Sequence, residues 1–321
     1  MRSHVSGFAL AVLLGGCTMS ERPVPQAAPQ SAAAPADTDL GGLLTYRELL
    51  ARPQAERGER IAYGPGPQQF GELWLPRGAG PHPVVVMIHG GCWQAALPGL
   101  ELQHELSRAL RDEGYAVLNV EYRRLGHEGG GYPGTFLDAA AATDFVRVLA
   151  RSHPLDLTRV ATVGHSAGGH LASWVAARPR LPADSPLRST DPLLVRGAVS
   201  LAGIDDLAAY RVDGPDACGG PDTIDRLVDA RGRAGADVYA DTSPFDMTPI
   251  GARLRVITGG RDPIVPPRFG MAFAEKAREA GDEVAYVNLP EAGHFELIDP
   301  RSAAWPRVLG AIDDVSGRNR R

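Results

Sequence analysis

Strand-like and helix-like segments alternate along the chain from about residue 70 onwards. The run VVVMIH at 84–89 is apolar up to its last residue, which is typical of a strand covered on both faces. The predicted strands are Phe70–Leu75, Pro83–His89, Tyr115–Tyr122, Val160–Val163, Ala198–Leu201, Arg255–Thr258 and Glu283–Leu289. The predicted helices are Leu100–Glu113, Thr135–Ser152, Ala167–Ala177, Pro267–Ala280 and Ser302–Val315. This alternation predicts an α/β fold with a mostly parallel central sheet and helices on both faces.

The composition excludes several classes of protein. A chain of 321 residues with 44% apolar residues is large enough to bury one full core. Its net charge of −5 and its 22% charged residues exclude a disordered acidic chain, and they give no sign of a nucleic-acid partner. The three cysteines lack the CxxC spacing of zinc sites, and no histidine pair has metal-ligand spacing. We therefore expect no metal and no cofactor.

The first 16 residues have the pattern of an export signal. Arg2 precedes an apolar run from Val5 to Leu14, which is too short for the roughly 20 residues that span a bilayer. The sequence LGGC that ends at Cys17 resembles the lipobox of bacterial lipoproteins, in which the cysteine is lipidated and becomes the first residue. An ordinary cleaved signal peptide with a chance cysteine is the alternative.

Residues 17–45 are rich in Pro, Ala and Gln and are expected to form a tether between the lipidated cysteine and a folded domain at 46–321. In bacterial lipoproteins an Asp directly after the cysteine favours the inner membrane, whereas Thr18 stands there in this chain. The resemblance thus implies a protein of the bacterial cell envelope, anchored in the outer membrane by its lipid and facing the periplasm.

A G-x-S-x-G sequence follows the predicted strand Val160–Val163 and opens the next helix. Small residues at Gly164 and Gly168 allow a sharp strand-to-helix turn that exposes the hydroxyl of Ser166 at the edge of the sheet. Ser166 is therefore a candidate nucleophile. The alternative is a glycine-rich turn in which the serine only caps the helix.

A serine nucleophile needs a base and a carboxylate that orients the base. Asp262 follows the strand Arg255–Thr258, and His294 follows the strand Glu283–Leu289. In parallel sheets, sites form where the strands end, so both side chains are expected beside Ser166. This predicts His294 as the base and Asp262 as its orienting carboxylate.

Other interpretations of these residues remain open at this point. A capping role is the alternative for Asp262, and a surface position without a catalytic part is the alternative for His294. Glu291 and Asp205 are the substitute carboxylates if Asp262 does not orient the base.

The sequence HGGCW after the second predicted strand suits an oxyanion loop. Glycines let backbone N–H groups approach a substrate carbonyl and stabilise its developing negative charge. The candidate oxyanion donors are the N–H groups of Gly90, Gly91, Cys92 and Ala167. His89 is expected to brace the loop rather than to act as a base.

Four motifs, HGGxW, GHSAGGHLASW, GGRDPIVP and AGHF, resemble those of esterase-like α/β-hydrolases. The similar branch contains kynurenine formamidases and bacterial feruloyl- or acetyl-esterase-like enzymes, and the resemblance covers about residues 70–315. It implies the α/β-hydrolase fold, with a cap-like insertion at about 205–250. The hormone-sensitive-lipase-like branch has a third glycine after HGG, where Cys92 stands here.

These motifs imply a serine hydrolase that cleaves a small-molecule carboxylic ester through an acyl-enzyme intermediate. An arylformamidase that cleaves an amide-type bond is the alternative with the same chemistry. A catalytically dead envelope-binding protein is the alternative from another class, although Ser166, Asp262 and His294 are all present.

Cys92 and Cys218 are the two thiols that remain once Cys17 is lipidated. Cys92 lies in the proposed oxyanion loop and Cys218 lies in the insertion, in a compartment that permits disulfides. The sequence is compatible with a disulfide between them and equally with two separately buried thiols.

Overall fold

The computed structural model describes residues 42–53 and 56–318, together with Met1 and His4. The predicted lipidation site Cys17, nearly all of the predicted signal segment and nearly all of the predicted tether lie outside the described residues. Within the described part of the chain, no helix is both long and apolar enough to cross a bilayer.

One sheet organises the described residues. Its strands are β1 Glu59–Ala62, β2 Phe70–Trp74, β3 His82–Ile88, β4 Ala116–Val120, β5 Leu155–His165, β6 Gly197–Leu201, β7 Arg253–Gly259 and β8 Val284–Leu289. The α-helices are α1 Tyr46–Ala51, α2 His104–Asp112, α3 Gly134–Leu149, α4 Ala167–Ala177, α5 Leu207–Asp213, α6 Pro221–Leu227, α7 Pro267–Glu279 and α8 Trp305–Ser316. Short 3-10 turns complete the regular structure.

The eight strands of the described chain follow the order β1-β2-β4-β3-β5-β6-β7-β8. The strands β1 and β2 pair antiparallel with their neighbours, and all pairs from β4 to β8 are parallel. The predicted mostly parallel sheet is confirmed. Strand β5 begins five residues before the predicted strand at Val160, since Leu155 pairs with His82 ahead of a register shift at Pro83/Val84.

Both faces of the central strand β5 are covered by helices. The Thr162 hydroxyl donates to the Ala172 carbonyl of α4 at 2.9 Å, which places this side chain on the α4 face. Side chains alternate along a strand, so Ala161 and Val163 point to the opposite face, where α8 contacts the sheet. Both residues are fully buried. Because both faces are covered, residues 160–163 of β5 are all buried, and the hydroxyl of Thr162, the one polar side chain among them, is hydrogen-bonded.

The folded body includes an N-terminal helix that the strand–helix pattern missed. Thr45 caps α1 by accepting from the Glu48 N–H at 3.2 Å, and the Glu48 carboxylate accepts from the Thr45 N–H at 2.8 Å. This reciprocal capping box is legible in the sequence T-x-x-E. Leu44, which the sequence assigned to the tether, donates its N–H to Glu296 at 2.7 Å and so belongs to the folded body.

The insertion after β6 contains more regular structure than its irregular sequence suggested. It holds α5, a 3-10 turn at Asp216–Cys218 and α6, followed by loops up to β7. Asp206 caps α5 by accepting from the Ala209 N–H at 2.9 Å. The short length of these helices explains why periodicity alone did not reveal them.

Gly168→Ala should strongly destabilise the fold, because α4 approaches β3 too closely for a side chain there. A Cβ at Gly168 would lie 2.0 Å from the Ile88 carbonyl oxygen and 2.5 Å from that of His89. We expect a loss of about 3 kcal/mol or more in the free energy of unfolding, measured by urea denaturation. Gly310→Ala in α8 is the matched control, since a Cβ there meets open space. The control should gain about 0.5–1 kcal/mol, and equal stability of the two variants would contradict the close approach.

Candidate active site

Ser166 lies in a sharp turn between β5 and α4. Its backbone is left-handed, with φ +56° and ψ −124°, a conformation that a serine rarely adopts. A Cβ at Gly164 would lie 1.9 Å from the Gly168 carbonyl oxygen, so the turn requires glycine at that position. The local sequence therefore places the Ser166 side chain at the end of the strand and at the start of a helix, as G-x-S-x-G turns do.

The structure brings Asp262 to His294. The Asp262 Oδ2 atom lies 2.6 Å from Nδ1 of His294. Its other oxygen, Oδ1, accepts the N–H groups of Ile264 at 2.8 Å and Val265 at 2.9 Å, which fixes the plane of the carboxylate. Since a carboxylate oxygen accepts, Nδ1 of His294 carries the proton and Nε2 is left as the basic nitrogen.

The two substitute carboxylates lie in other surroundings. The Asp205 carboxylate accepts from the Ser200 hydroxyl at 2.7 Å, and its burial raises its pKa to about 7. Glu291 is exposed to solvent. Asp262 is thus the carboxylate positioned to orient His294.

Ser166 and His294 face one cleft, which contains about 490 Å³ of empty space including its open mouth. Its wall is largely apolar. The other lining residues are Tyr46, Gly91, Cys92, Leu97, Pro98, Leu102, His165, Ala217, Ile264 and Phe295. Tyr46 belongs to α1 and contacts the Phe295 ring, with 6.0 Å between the ring centroids. The N-terminal helix therefore forms part of the cleft wall.

The predicted oxyanion loop packs against the serine turn. A Cβ at Gly90 would lie 3.1 Å from Cβ of Ser166, so glycine permits the contact. The next three residues are left-handed, with φ +94° at Gly91, +50° at Cys92 and +56° at Trp93. Ala167 begins α4, where a helix offers no internal acceptor for its N–H. The structure thus brings all four candidate oxyanion donors to the neighbourhood of Ser166.

A disulfide joins the loop to the insertion. Cys92 and Cys218 are bonded with a Cα–Cα distance of 5.3 Å, although they lie 126 residues apart in sequence. Gln94 strengthens the same connection by donating its side-chain amide to the Cys218 carbonyl at 2.9 Å. Of the two arrangements that the sequence allowed, the structure contains the bonded one.

His170 makes a second connection that the sequence analysis missed. Its Nδ1 accepts from the Trp93 indole N–H at 3.2 Å, and its Nε2 donates to the Thr242 carbonyl at 2.7 Å. Complete burial lowers the pKa of His170 to about 4, which keeps the ring neutral and able to accept from Trp93. The sequence does contain a sign of this contact: His170 comes one helical turn after Ser166, so the two residues lie on the same face of α4.

His89 supports the loop from behind. Its ring stacks on Tyr122 at 4.5 Å, and its Nε2 lies 3.1 Å from the Glu121 carboxylate. Burial alone would raise the pKa of Glu121, but His89 and Arg124 outweigh it and lower that pKa to about 2. The Tyr122 hydroxyl donates to the His89 carbonyl at 2.9 Å. These contacts suit the bracing role expected for His89.

Among the described residues, no group of three or more His, Cys, Asp or Glu side chains is arranged to hold a metal ion.

Comparison with known proteins places this site in context. Residues 72–277 match the family model described as BD-FAE. The esterase LipC of Mycobacterium tuberculosis is 29% identical over 267 residues, which cover 80% of this chain and 63% of LipC. The carboxylesterase NlhH of the same organism is 34% identical over 243 residues, which cover 72% of this chain and 73% of NlhH. The chain thus spans slightly less than two thirds of the length of LipC.

Solved structures share the architecture. A truncated carbohydrate esterase from gut microbiota superposes with a TM-score of 0.67 at 18% identity, over 82% of this chain and 97% of that one. Esterase 2 of Thermogutta terrifontis superposes with a TM-score of 0.64 at 22% identity, over 86% of this chain and 95% of that one. The predicted α/β-hydrolase fold is confirmed.

Breaking the disulfide should destabilise the protein and lower the order of the loop. A bond that closes 126 residues is expected to contribute about 4–5 kcal/mol in the chain-entropy model. Reductant should therefore shift the urea midpoint of the wild type downwards. A variant with both Cys92→Ser and Cys218→Ser is the control, because reductant should leave its midpoint unchanged. Two alkylatable thiols at these positions in the oxidised, folded protein would contradict the bond.

Proposed function

The chain belongs to the BD-FAE family, a family of α/β-hydrolase esterases, and from that premise we propose that it is a serine carboxylesterase. The observation that carries the proposal is the convergence of three side chains. Ser166 and His294 face one cleft, and His294 is held by Asp262 at 2.6 Å. This is the arrangement that a serine nucleophile requires.

Acylation begins when the Ser166 hydroxyl oxygen attacks the ester carbonyl carbon. The hydroxyl proton moves to Nε2 of His294, and Asp262 stabilises the imidazolium that forms. The carbonyl oxygen becomes an oxyanion, which accepts from the Ala167 N–H and from N–H groups of the loop at Gly91 and Cys92. Each such donor contributes on the order of 10²–10³ in turnover.

The tetrahedral intermediate collapses when the bond between the carbonyl carbon and the alcohol oxygen breaks. His294 returns the proton to the departing alcohol, which leaves an acyl group on Ser166. A water molecule then gives its proton to His294 and attacks the acyl carbon. The same oxyanion donors act again. The bond between the acyl carbon and the Ser166 oxygen then breaks, His294 returns its proton to that oxygen, and the acid product leaves.

The cleft wall favours an uncharged ester with an apolar group. Its apolar lining residues include Leu97, Leu102, Ile264 and Phe295. The polar side chains that line it are those of Tyr46, His165, Ser166 and His294. A charged group placed against this wall would lose its hydration without an opposite charge to compensate. We therefore expect turnover of neutral aliphatic or aryl esters to exceed that of matched charged esters.

Ser166→Ala should lower turnover of p-nitrophenyl butyrate by about 10⁶, because the members of a triad act as a unit. Labelling by a fluorophosphonate should be lost in the same variant. Ser152→Ala, which changes an exposed serine, is the matched control and should keep both activities. Labelling that persists in Ser166→Ala would exclude Ser166 as the nucleophile.

The same turnover assay tests whether Asp262 orients the base and whether the enzyme cleaves esters or formamides. Asp262→Asn should lower turnover by about 10⁴, as loss of the orienting carboxylate does in triads. Asp205→Asn should act on stability instead, since Asp205 contacts Ser200. N-formyl aromatic amines in the substrate panel separate ester hydrolysis from formamide hydrolysis, and a preference for the formamides would overturn the ester proposal.

We also propose that Cys17 carries a lipid anchor in the bacterial outer membrane. The pattern LGGC supports the anchor, and Thr18 in place of an Asp supports the outer membrane. The Cys17→Ser protein should be absent from the membrane fraction or should keep its signal segment. The serine cannot carry the acyl chains of the cysteine, and stable anchoring takes more than one such chain. Thr18→Asp is the matched variant and should move the protein to the inner membrane. Wild-type protein found entirely in the soluble periplasmic fraction would refute the anchor.

A further inference from the structure

One buried histidine of the cleft has no part in the acyl transfer described above. His165 is the last residue of β5, immediately before Ser166, and its side chain is 1% exposed. It lines the cleft together with Ser166 and His294. A buried imidazole beside a catalytic base needs a physical reason, because its polar atoms lose their hydration.

His165 contacts both the main chain and the ring of His294. Its Nε2 lies 3.0 Å from the His294 carbonyl oxygen. The two rings lie 4.3 Å apart between centroids at an interplanar angle of 53°. The Phe295 ring packs against both, at 5.7 Å from His165 and 5.0 Å from His294. One side chain therefore touches the base and the backbone that carries it.

The hydrogen bond determines where the proton of His165 lies. A carbonyl oxygen only accepts, so Nε2 donates and Nδ1 carries the lone pair. Nδ1 is buried with no hydrogen-bond partner among the described groups, and a Cβ at Gly90 would lie 3.2 Å from it. Burial, followed by the nearby His294, lowers the pKa of His165 well below its ordinary value. The neutral ring adds no repulsion when His294 becomes an imidazolium.

The loop that carries His294 needs such a support. His294 follows β8 and precedes a 3-10 turn at Phe295–Ile298, so the base is held on irregular backbone. Glu296 secures the loop upstream by accepting from the Gly293 N–H at 3.1 Å. His165 secures it at the residue that performs the chemistry.

We infer that His165 is a positioning residue for the base: its Nε2–H holds the His294 backbone, and its ring sets the tilt of the His294 imidazole towards Ser166. This inference rests on the proposed function. A displacement of about 1 Å at a catalytic group costs on the order of 10² in rate. Binding of the substrate does not depend on this hydrogen bond, so the loss should fall on kcat and not on KM.

Two amide substitutions separate the hydrogen bond from the bulk of the ring. His165→Gln places an amide N–H near the position of Nε2 and keeps the donor, whereas His165→Asn places its amide near Nδ1 and loses the donor. We expect His165→Asn to lower kcat for p-nitrophenyl butyrate by about 10–100-fold with KM unchanged, and His165→Gln to restore most of the loss. If His165→Asn does not fold, His165→Phe keeps a ring without the donor and is compared with His165→Gln instead.

His104→Gln is the matched control. His104 is a buried histidine of α2 whose Nε2 lies 2.9 Å from Glu72, and it does not line the cleft. This variant should lower the melting temperature with kcat unchanged, which separates loss of stability from loss of positioning. The rate at which a fluorophosphonate labels Ser166 gives a second readout that requires no substrate, and it should fall in parallel with kcat.

The outcomes distinguish the two proposals. Equal kcat and equal labelling rates in the Gln and Asn variants would overturn the positioning role while leaving the esterase proposal intact. A rise in KM with unchanged kcat would also overturn it. Wild-type protein that neither hydrolyses esters nor is labelled at Ser166 would overturn the proposed function, and the positioning role with it.

Discussion

The site depends on how closely the helix after β5 approaches the sheet. A side chain at Gly168 would overlap the backbone of β3, and one at Gly164 would overlap the first turn of α4. Because neither residue has a side chain, the backbone turns within a few residues and Ser166 takes its left-handed conformation. The same closeness brings Gly90 against the serine. Backbone packing therefore decides where the candidate nucleophile and the candidate oxyanion donors meet, before any side-chain interaction contributes.

The loop next to the serine is held in a conformation that costs free energy. Left-handed backbone at non-glycine residues such as Cys92 and Trp93 costs on the order of 1–3 kcal/mol each. Two separate connections to the insertion offset that cost: the bond to Cys218, and the relay from Trp93 through His170 to Thr242. The insertion thus supports the candidate oxyanion loop and also forms part of the cleft wall.

The residues at the ends of strands were predictable, because a parallel sheet brings its carboxyl ends to one edge whatever the loops do. Ser166, Asp262 and His294 were singled out as candidates in this way, and the structure places Asp262 beside His294 and lines one cleft with Ser166 and His294. His165 and His170 were not. The contacts of His165 depend on how the loop after β8 packs, those of His170 depend on how the insertion packs, and no spacing along the chain reports either. The pairing of the cysteines stayed open for the same reason. Helix α1 was missed although its capping box was present, because six residues are too few to show a helical period.

The covalent bond between loop and insertion has a consequence for how such proteins diversify. Insertions after a strand are ordinarily free to be exchanged between relatives, because they contact a constant scaffold only at their ends. Here an exchange that removed Cys218 would leave Cys92 as an unpaired thiol in the cleft wall, and a free thiol is subject to oxidation. When segments are exchanged between relatives, residues 89–94 and 205–250 should therefore be exchanged together, although more than a hundred residues lie between the two segments.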